Sequence, residues 1–425
     1  MSEARQFALD VVSRLRSAGF IALWAGGCVR DLLMEREPHD YDVATSATPQ
    51  QVRELFGFRR TLMVGAAFGV VIVKGSSKLQ TQVEVATFRT DATYTDGRRP
   101  DSVTFSTPEK DAERRDFTIN GMFFDPIASE VIDFVGGRED LRNGVIRAIG
   151  DPHARLAEDK LRMLRAIRFA ARFAFEIDSE TEGAVTAHAA EVAMVSGERI
   201  AVEFRKTLET DRAAWAVGRW HATGLMQVIS HEVHTQWETL GASICELVSH
   251  SVRGGWIARA AALYWPIVAA DEQESISTAK NCIASLKQRL KLANEEAEAM
   301  LFALESQATL ARGSQLAWSR VQPLLILPHI ETALALLAAR GATAPALARE
   351  ASRLYEFLHW PSERLNPSPL LDGQVLQQSG LVPGPQFREI LQKARELQLD
   401  GVLSDRQAAK QWLSQSGNLQ KENGG

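Results

Sequence analysis

The stretch from Leu23 to Thr45, LWAGGCVRDLLMEREPHDYDVAT, places the strongest constraint on how this chain can fold. FIALW (20–24) reads as a strand, Ala25-Gly26-Gly27 as a turn, and CVRDLLM as the start of a helix. DYDVAT then predicts a second strand, over residues 40–44. Alternate residues of a strand share one face, so Asp40 and Asp42 project together. Two such carboxylates repel one another unless a cation lies between them, and hard oxygen donors of this kind suit Mg²⁺. A bare pair of aspartates is more often a solvated strand end. Here the preceding strand, the Gly26-Gly27 turn and a helix carrying Arg30 can bring backbone N–H groups close to phosphates, which favours a phosphate-and-metal pocket.

Strand-like runs continue at 68–74 (FGVVIVK), 82–88 (QVEVATF) and 122–124, with helices expected at 3–18, 28–35, 49–56 and 109–114. This mixed pattern predicts an α+β head with a small sheet. Glu84 in QVEVATF has two readings: a third carboxylate beside the aspartate pair, or the exposed face of an edge strand. Residues 89–102 are polar, carry a Gly-Arg-Arg-Pro punctuation and predict a mobile loop. From about 151 strand signals vanish. Asp151-Pro152 suits a helix start, and Leu156, Leu161, Leu164 and Ile167 recur with helical spacing through RMLRAIRFAARF. Helical patterns then run to Leu358, a loop at 361–369 marks a boundary, and a last helical unit spans 370–412 before a polar end expected to fray.

Two clusters of charge accompany the aspartates. In RRDFTIN (114–120), Arg114 and Arg115 could neutralise a polyphosphate and Asn120 hold a sugar hydroxyl. The plainer reading pairs Arg114 with Asp111 or Glu113 on an exposed helix end. In EDKLR (158–162) and onward, steps of three place Asp159, Arg162 and Arg165 on one helical stripe, with Arg168 slightly round from it. Such a run is usually a solvated face, but apolar neighbours argue for a helix packed on more than one side, whose arginines need partners. His231 and His234 are one residue short of the spacing that shares a zinc ion on a helix, and no P-loop signature is present.

Composition narrows the setting. A chain of 425 residues predicts two to four domains. No apolar run is long enough to span a bilayer, the start lacks a signal-peptide core, and three scattered cysteines form neither a disulfide framework nor a zinc set. A cytoplasmic protein is expected. With a net charge of −5, any nucleic-acid surface must be a local basic patch.

In order, GGCVRD, DYD, VEVATFR, RRDFTINGMFFDP and EDKLRMLRAIRFAARF resemble the signature of the class II tRNA nucleotidyltransferases, the CCA-adding enzymes, and of the related bacterial poly(A) polymerases. The resemblance covers about residues 20–205, with weaker likeness at SGERI (196–200) and 371–401. It implies a polymerase beta-like head with a small mixed sheet (1–150), followed by an all-α neck (151–215), body (216–360) and tail (361–425). It further implies that Asp40 and Asp42 bind two Mg²⁺ ions, with Glu84 beside them, and that Gly26, Gly27, Arg30 and Arg115 meet the nucleotide, Asn120 its sugar. Asp159, Arg162, Arg165 and Arg168 match a base-reading helix. A carboxylate beside a guanidinium accepts from and donates to the edge that cytosine and adenine share, leaving uracil and guanine with unpaired groups at about 1–3 kcal/mol each.

The implied reaction is addition of C, C and A to a tRNA 3′ end from CTP and ATP, releasing pyrophosphate, with no membrane and no inferable protein partner. Alternatives are a poly(A) polymerase, an enzyme adding only part of CCA, or a non-catalytic RNA-binding protein. The full-length 89–102 loop disfavours CC-only addition, the tail lacks the basic character of the poly(A) polymerases, and the intact aspartates disfavour a degenerate head.

Overall fold

The computed structural model describes residues 2–65, 69–75, 81–91, 103–271 and 275–415. The chain forms two compact units, Met1–His234 and Thr235–Gly425. The expected boundaries at 150 and 215 therefore fall inside the first unit, and that at 360 inside the second.

The first unit opens with α1 (Glu3–Ser17), whose start is fixed by the Ser2 hydroxyl accepting from Arg5 N–H, with Glu3 in the first turn and Arg14 and Arg16 in the last. Strand β1 (Ala22–Ala25) leads through Gly26 into α2 (Gly27–Leu33), and β2 (Asp42–Thr45) follows. A capping box between Thr48 and Gln51, with Pro49 in the first turn, starts α3 (Pro49–Phe56). Next come β3 (Thr61–Gly65), β4 (Val70–Lys74), β5 (Gln82–Thr87), β6 (Arg89–Asp91), β7 (Val103–Phe105), α4 (Pro108–Glu113), β8 (Phe123–Asp125), β9 (Glu130–Ile132), α5 (Gly137–Asn143) and β10 (Val145–Ile146).

Seven of these strands make one mixed sheet in the order β3-β4-β5-β2-β1-β8-β9, in which β2 and β5 are parallel and the other pairs antiparallel. The strand side chains alternate between two cores. Trp24, Val43, Val83 and Val85 face α1 and α3, whereas Leu23, Ala25, Ala44 and Phe123 pack with Phe88 and Ala112. Both faces being covered explains why β1 is buried at all four positions and reads as a continuous apolar run. Register positions the chemistry. Asp42 lies opposite Ala25, the last residue before the glycine turn, and Val43 opposite Val85 sets Glu84 beside Asp42.

Helices α6 (Pro152–Glu158), α7 (Leu161–Phe173), α8 (Ser179–His188) and α9 (Gly197–Leu208) follow, with β11 (Glu176–Ile177) between α7 and α8. The reading of 151 onward as wholly helical is corrected by β11, which pairs in parallel with β10; two-residue strands leave no alternation to read. The expected single helix over 151–173 is also corrected. It breaks at Asp159, whose backbone is extended (φ −140°, ψ 104°) and whose carboxylate accepts from Leu161 N–H. Asp159 thus acts as a helix-starting residue and is not on the helix that carries Arg162. The strand expected at 40–44 begins only at Asp42. Residues 92–102 of the expected loop, and 416–425 of the expected frayed end, lie outside the described residues; the loop's flanks pair as β6 and β7.

The second unit is helical. Trp237–His250, Gly255–Ala270, Asn294–Glu305, Ile330–Arg340 and Pro345–Leu358 pack on one another, with Tyr264, Met300 and Leu336 fully buried. The 361–369 segment includes a short helix, Ser362–Leu365. The last helices enclose their own small core of Leu376, Ile390, Ala394 and Leu413. Among the described residues no single helix is long and apolar enough to cross a membrane.

Candidate active site

Where β1, β2, α2, α4 and α7 meet, the first unit holds a cavity of about 690 Å³. Its lining includes eight arginines and Lys206 against three carboxylates, Asp42, Asp116 and Asp159. In a chain of net charge −5, that local excess of cations marks a site for a polyanion.

The glycine turn forms one edge. Gly26 has φ +72°, a left-handed backbone that costs other residues about 1–2 kcal/mol, and donates its N–H to Met122 O. A Cβ there would stand 2.8 Å from Arg115 Nη1, so the turn also makes room for that guanidinium. We predict that Gly26→Ala raises the nucleotide KM about tenfold while lowering the melting temperature by only a few degrees. Steady-state kinetics with thermal denaturation checks this, and an unchanged KM would remove the turn from nucleotide binding.

Arg30 on α2 is buried, packed over the Phe173 ring at 4.5 Å, and donates to Asp31 Oδ1 at 2.7 Å and to Asn120 Oδ1 at 2.6 Å. Burial lowers its proton affinity and Asp31 opposes that pull. Arg115 reaches Asp111 Oδ2 at 3.0 Å and Asn120 O at 3.3 Å, and Arg114 pairs with Asp111 Oδ1 at 2.8 Å, as the plainer sequence reading has it. Both arginines nevertheless line the cavity.

Asp42 also lines the cavity; Asp40 is exposed beyond the strand end, and neither it nor Glu84 forms part of the lining. Glu84 is not on an edge strand, since β5 lies between β4 and β2. The Asp42 carboxyl, open to the cavity but crowded by protein on its other sides, is pushed up to about 6 by desolvation and by Glu84 and Asp40, against the pull of Arg115. Beside it the Cys28 thiol, buried and close to the Asp42 charge, is pushed up to about 12 and stays a neutral packing group.

The opposite wall is α7. Arg162, Arg165 and Arg168 share the cavity-facing stripe the sequence predicts, and Arg172 continues it. Arg162 donates to Glu158 at 2.6 Å, to Arg155 O at 2.8 Å and to Arg114 O at 3.1 Å. Arg165 pairs with Asp116, and Arg168 with buried Glu203 on α9; both guanidinium groups lie over the Phe169 ring, at 5.2 and 4.2 Å. Asp159 meets these arginines from the break before α7, and its ion-pair partner is Arg199, at 2.8 Å. Asn120, expected to hold a sugar hydroxyl, lines the cavity; its amide accepts from Arg30 at 2.6 Å and donates to Asp116 at 3.0 Å, which fixes it and leaves one N–H and one lone pair for a ligand.

Sequence reasoning missed Arg172, Arg199, Lys206 and the bridging roles of Asp116 and Glu203. Arg172 was legible as the next helical step after Arg168. Arg199, within the SGERI run, and Glu203 stand one turn apart on α9, a spacing that only the fold turns toward Asp159 and Arg168.

Comparison with known proteins agrees with this geometry. Residues 22–147 match the Poly A polymerase head domain family, and 174–236 the family described as the probable RNA and SrmB- binding site of polymerase A. A CCA-adding enzyme from a Geobacillus species is 43% identical over 226 residues, 53% of this chain and 54% of that protein, so the match spans about half the length of such relatives. The CCA-adding enzyme of Levilactobacillus brevis is 32% identical over 400 residues, 92% of each chain. The crystal structure of the Bacillus stearothermophilus CCA-adding enzyme in complex with CTP superposes with a TM-score of 0.77 at 28% identity, covering all of both chains. The Thermotoga maritima CCA-adding enzyme complexed with tRNA, at 22% identity and a TM-score of 0.64, shares the fold. With a mixed-sheet head, a helical remainder and a relative aligned over nearly its whole length, this chain belongs to the class II CCA-adding enzyme and poly(A) polymerase family.

Proposed function

We propose that this protein adds C, C and A to the 3′ ends of tRNA from CTP and ATP, a cytoplasmic activity that needs no nucleic-acid template. The observation that carries this reading is that Asp42, the glycine turn and the arginines of α7 line one and the same cavity, the arginines facing the other two across it. The relatives aligned over most of this chain are CCA-adding enzymes, which favours that product over a run of A.

The carboxylates suit a divalent cation. Among the described residues no three His, Cys, Asp or Glu side chains close a metal site on their own. Asp42 with Asp40, and Glu84 nearby, is instead the partial oxygen set with which Mg²⁺ is held jointly by one or two carboxylates and substrate phosphates. Bound there, Mg²⁺ would activate the attacking hydroxyl and neutralise charge on the departing pyrophosphate. In the transfer itself, the RNA 3′ hydroxyl gives up its proton to water, its oxygen bonds to the α-phosphorus, and the bond from that phosphorus to pyrophosphate breaks. Gly26 and Gly27 let the backbone approach the phosphates, and Arg115 and Arg30 hold them.

Base choice is assigned to Asp159 and Arg162. A carboxylate offers about four acceptor sites, and Asp159 spends three, one on Leu161 N–H and two on Arg199. Arg162 keeps Nε and one further N–H uncommitted beside Glu158 and two carbonyls. Each residue is thus fixed in place with hydrogen-bonding capacity left for a base edge. Arg165 and Arg168 flank it.

The test is incubation with tRNA ending at the discriminator base plus CTP and ATP, followed by sequencing of the product. A CCA end is expected; a run of A, or no extension, would overturn the reading. In the same assay Asp159→Ala is expected to reduce discrimination against UTP and GTP about tenfold or more, one unpaired hydrogen-bonding group's worth. Unchanged discrimination would place base selection elsewhere.

A further inference from the structure

The second unit contains a cavity of about 380 Å³ among the helices Trp237–His250, Gly255–Ala270, Ile330–Arg340 and Pro345–Leu358. Its walls are mostly apolar, Leu240, Leu247, Pro266 and Leu347 among them, with hydroxyls from Ser243 and Thr343. Arg340 also lines it.

Arg340 is held unusually well for a cation with no acid. Gln307 is fully buried, and its amide nitrogen donates to Ala303 O at 2.8 Å and Ala333 O at 2.9 Å. That fixes the Gln307 oxygen, which accepts from Arg340 Nη1 at 2.9 Å. The guanidinium lies over the Trp265 ring, 4.1 Å from its centroid. Among the described residues no carboxylate pairs with Arg340, and burial pulls its guanidinium down to about 10. Glu246 lines the same cavity, but from an exposed position. The C-terminal end of its helix makes Arg340 tolerable there. That accounts for a cation, not for one clamped by two neighbours with Nε and Nη2 left without an acceptor among the described residues.

We propose that this cavity binds a small amphipathic carboxylate, its anionic head on the free edge of Arg340 and its apolar body between the helices. A single clamped guanidinium matches a carboxylate, which takes two parallel N–H donors; a phosphate dianion would call for further cations than the cavity offers. The volume falls in the range of small-ligand sites. The site is independent of the nucleotide cavity, so its failure would leave the proposed transferase reading standing.

Calorimetric titration of the full chain with hydrocinnamate, benzoate and hexanoate tests this, with the neutral alcohol of hydrocinnamate and inorganic phosphate as controls. At least one carboxylate is expected to saturate with one site per chain, about tenfold or more tighter than the alcohol, and phosphate to show no comparable binding. Arg340→Met is expected to weaken the carboxylate by the same factor. Ala269→Trp, an exposed lining position where bulk fills the mouth without touching the core, is expected to block binding even if the arginine variant folds poorly. Equal affinity for alcohol and carboxylate, binding that survives both substitutions, or no saturation by any of the three carboxylates would each overturn the proposal.

Discussion

Asp42→Asn is expected to cut nucleotide incorporation by on the order of a thousandfold or more while making the metal-free protein more stable. The two effects have one cause. Asparagine keeps the shape of Asp42 and removes the charge that a divalent cation needs. The same charge is disfavoured in the metal-free protein, where desolvation, Glu84 and Asp40 raise the carboxyl to about 6 from the usual 3.8. A folded state that holds a proton more tightly than the unfolded chain loses stability as pH rises between those two values, and the penalty is complete above the upper one. Because the Asp42 side chain is open to the cavity, solvent screening reduces the gain from substitution to about 1 kcal/mol. Melting curves at pH 5 and pH 8 read this directly. The variant should exceed the wild type at pH 8, the gap should narrow at pH 5, and added magnesium should narrow it at pH 8 by stabilising the wild type alone. Full incorporation by the variant would remove Asp42 from catalysis, and a stability gap that ignores both pH and magnesium would remove it from the metal site.

The central strands and the corner that carries Asp42 were legible because their signals are local. Strands β1, β2, β4 and β5 are apolar runs between turn residues, and Asp42 follows the glycine turn closely enough for register to set them side by side. The β10–β11 pair and the β6–β7 hairpin base were not, since two or three residues carry too little periodicity. The break at Asp159 had a local sign, an aspartate before an apolar helical run, which the longer periodicity masked. The partners distant in sequence had none. Arg199 stands 40 positions from Asp159, and Arg30 stands 90 from Asn120. Sequence spacing named most of the cavity's charges; only the fold shows which of them hold one another and which are left for a ligand.

Asp116 shows how much rests on those internal partners. It is buried against α7, accepts from Arg165, from the Asn120 amide at 3.0 Å and from Phe117 N–H at 2.8 Å. Burial alone would raise its proton affinity, but Arg165, Asn120 and Arg162 outweigh that and hold it well below the usual carboxylate range. Asp116→Asn takes from Arg165 the carboxylate it meets at hydrogen-bonding distance, while Arg162 and Arg168 keep Glu158 and Glu203; with the Arg165 side chain a third exposed, the expected loss to the first unit is about 2 kcal/mol, below the usual cost of breaking a fully buried pair. Because the chain has two units, the reading is hydrogen exchange on α7 and the central sheet, where local protection reports this unit by itself. The stabilisation is present above the pKa of an unfolded aspartate and is lost as pH falls toward the depressed folded value, so the gap between wild type and variant should persist at pH 5 and close only in strong acid. Asp116→Leu combined with Arg165→Met should recover part of the protection by removing both buried charges, while nucleotide affinity stays low because a cavity arginine is gone. Protection in Asp116→Asn within about 0.5 kcal/mol of the wild type would mean that the arginines of α7 are held by Glu203 and solvent, and that Asp116 is not the post on which that wall of the site stands.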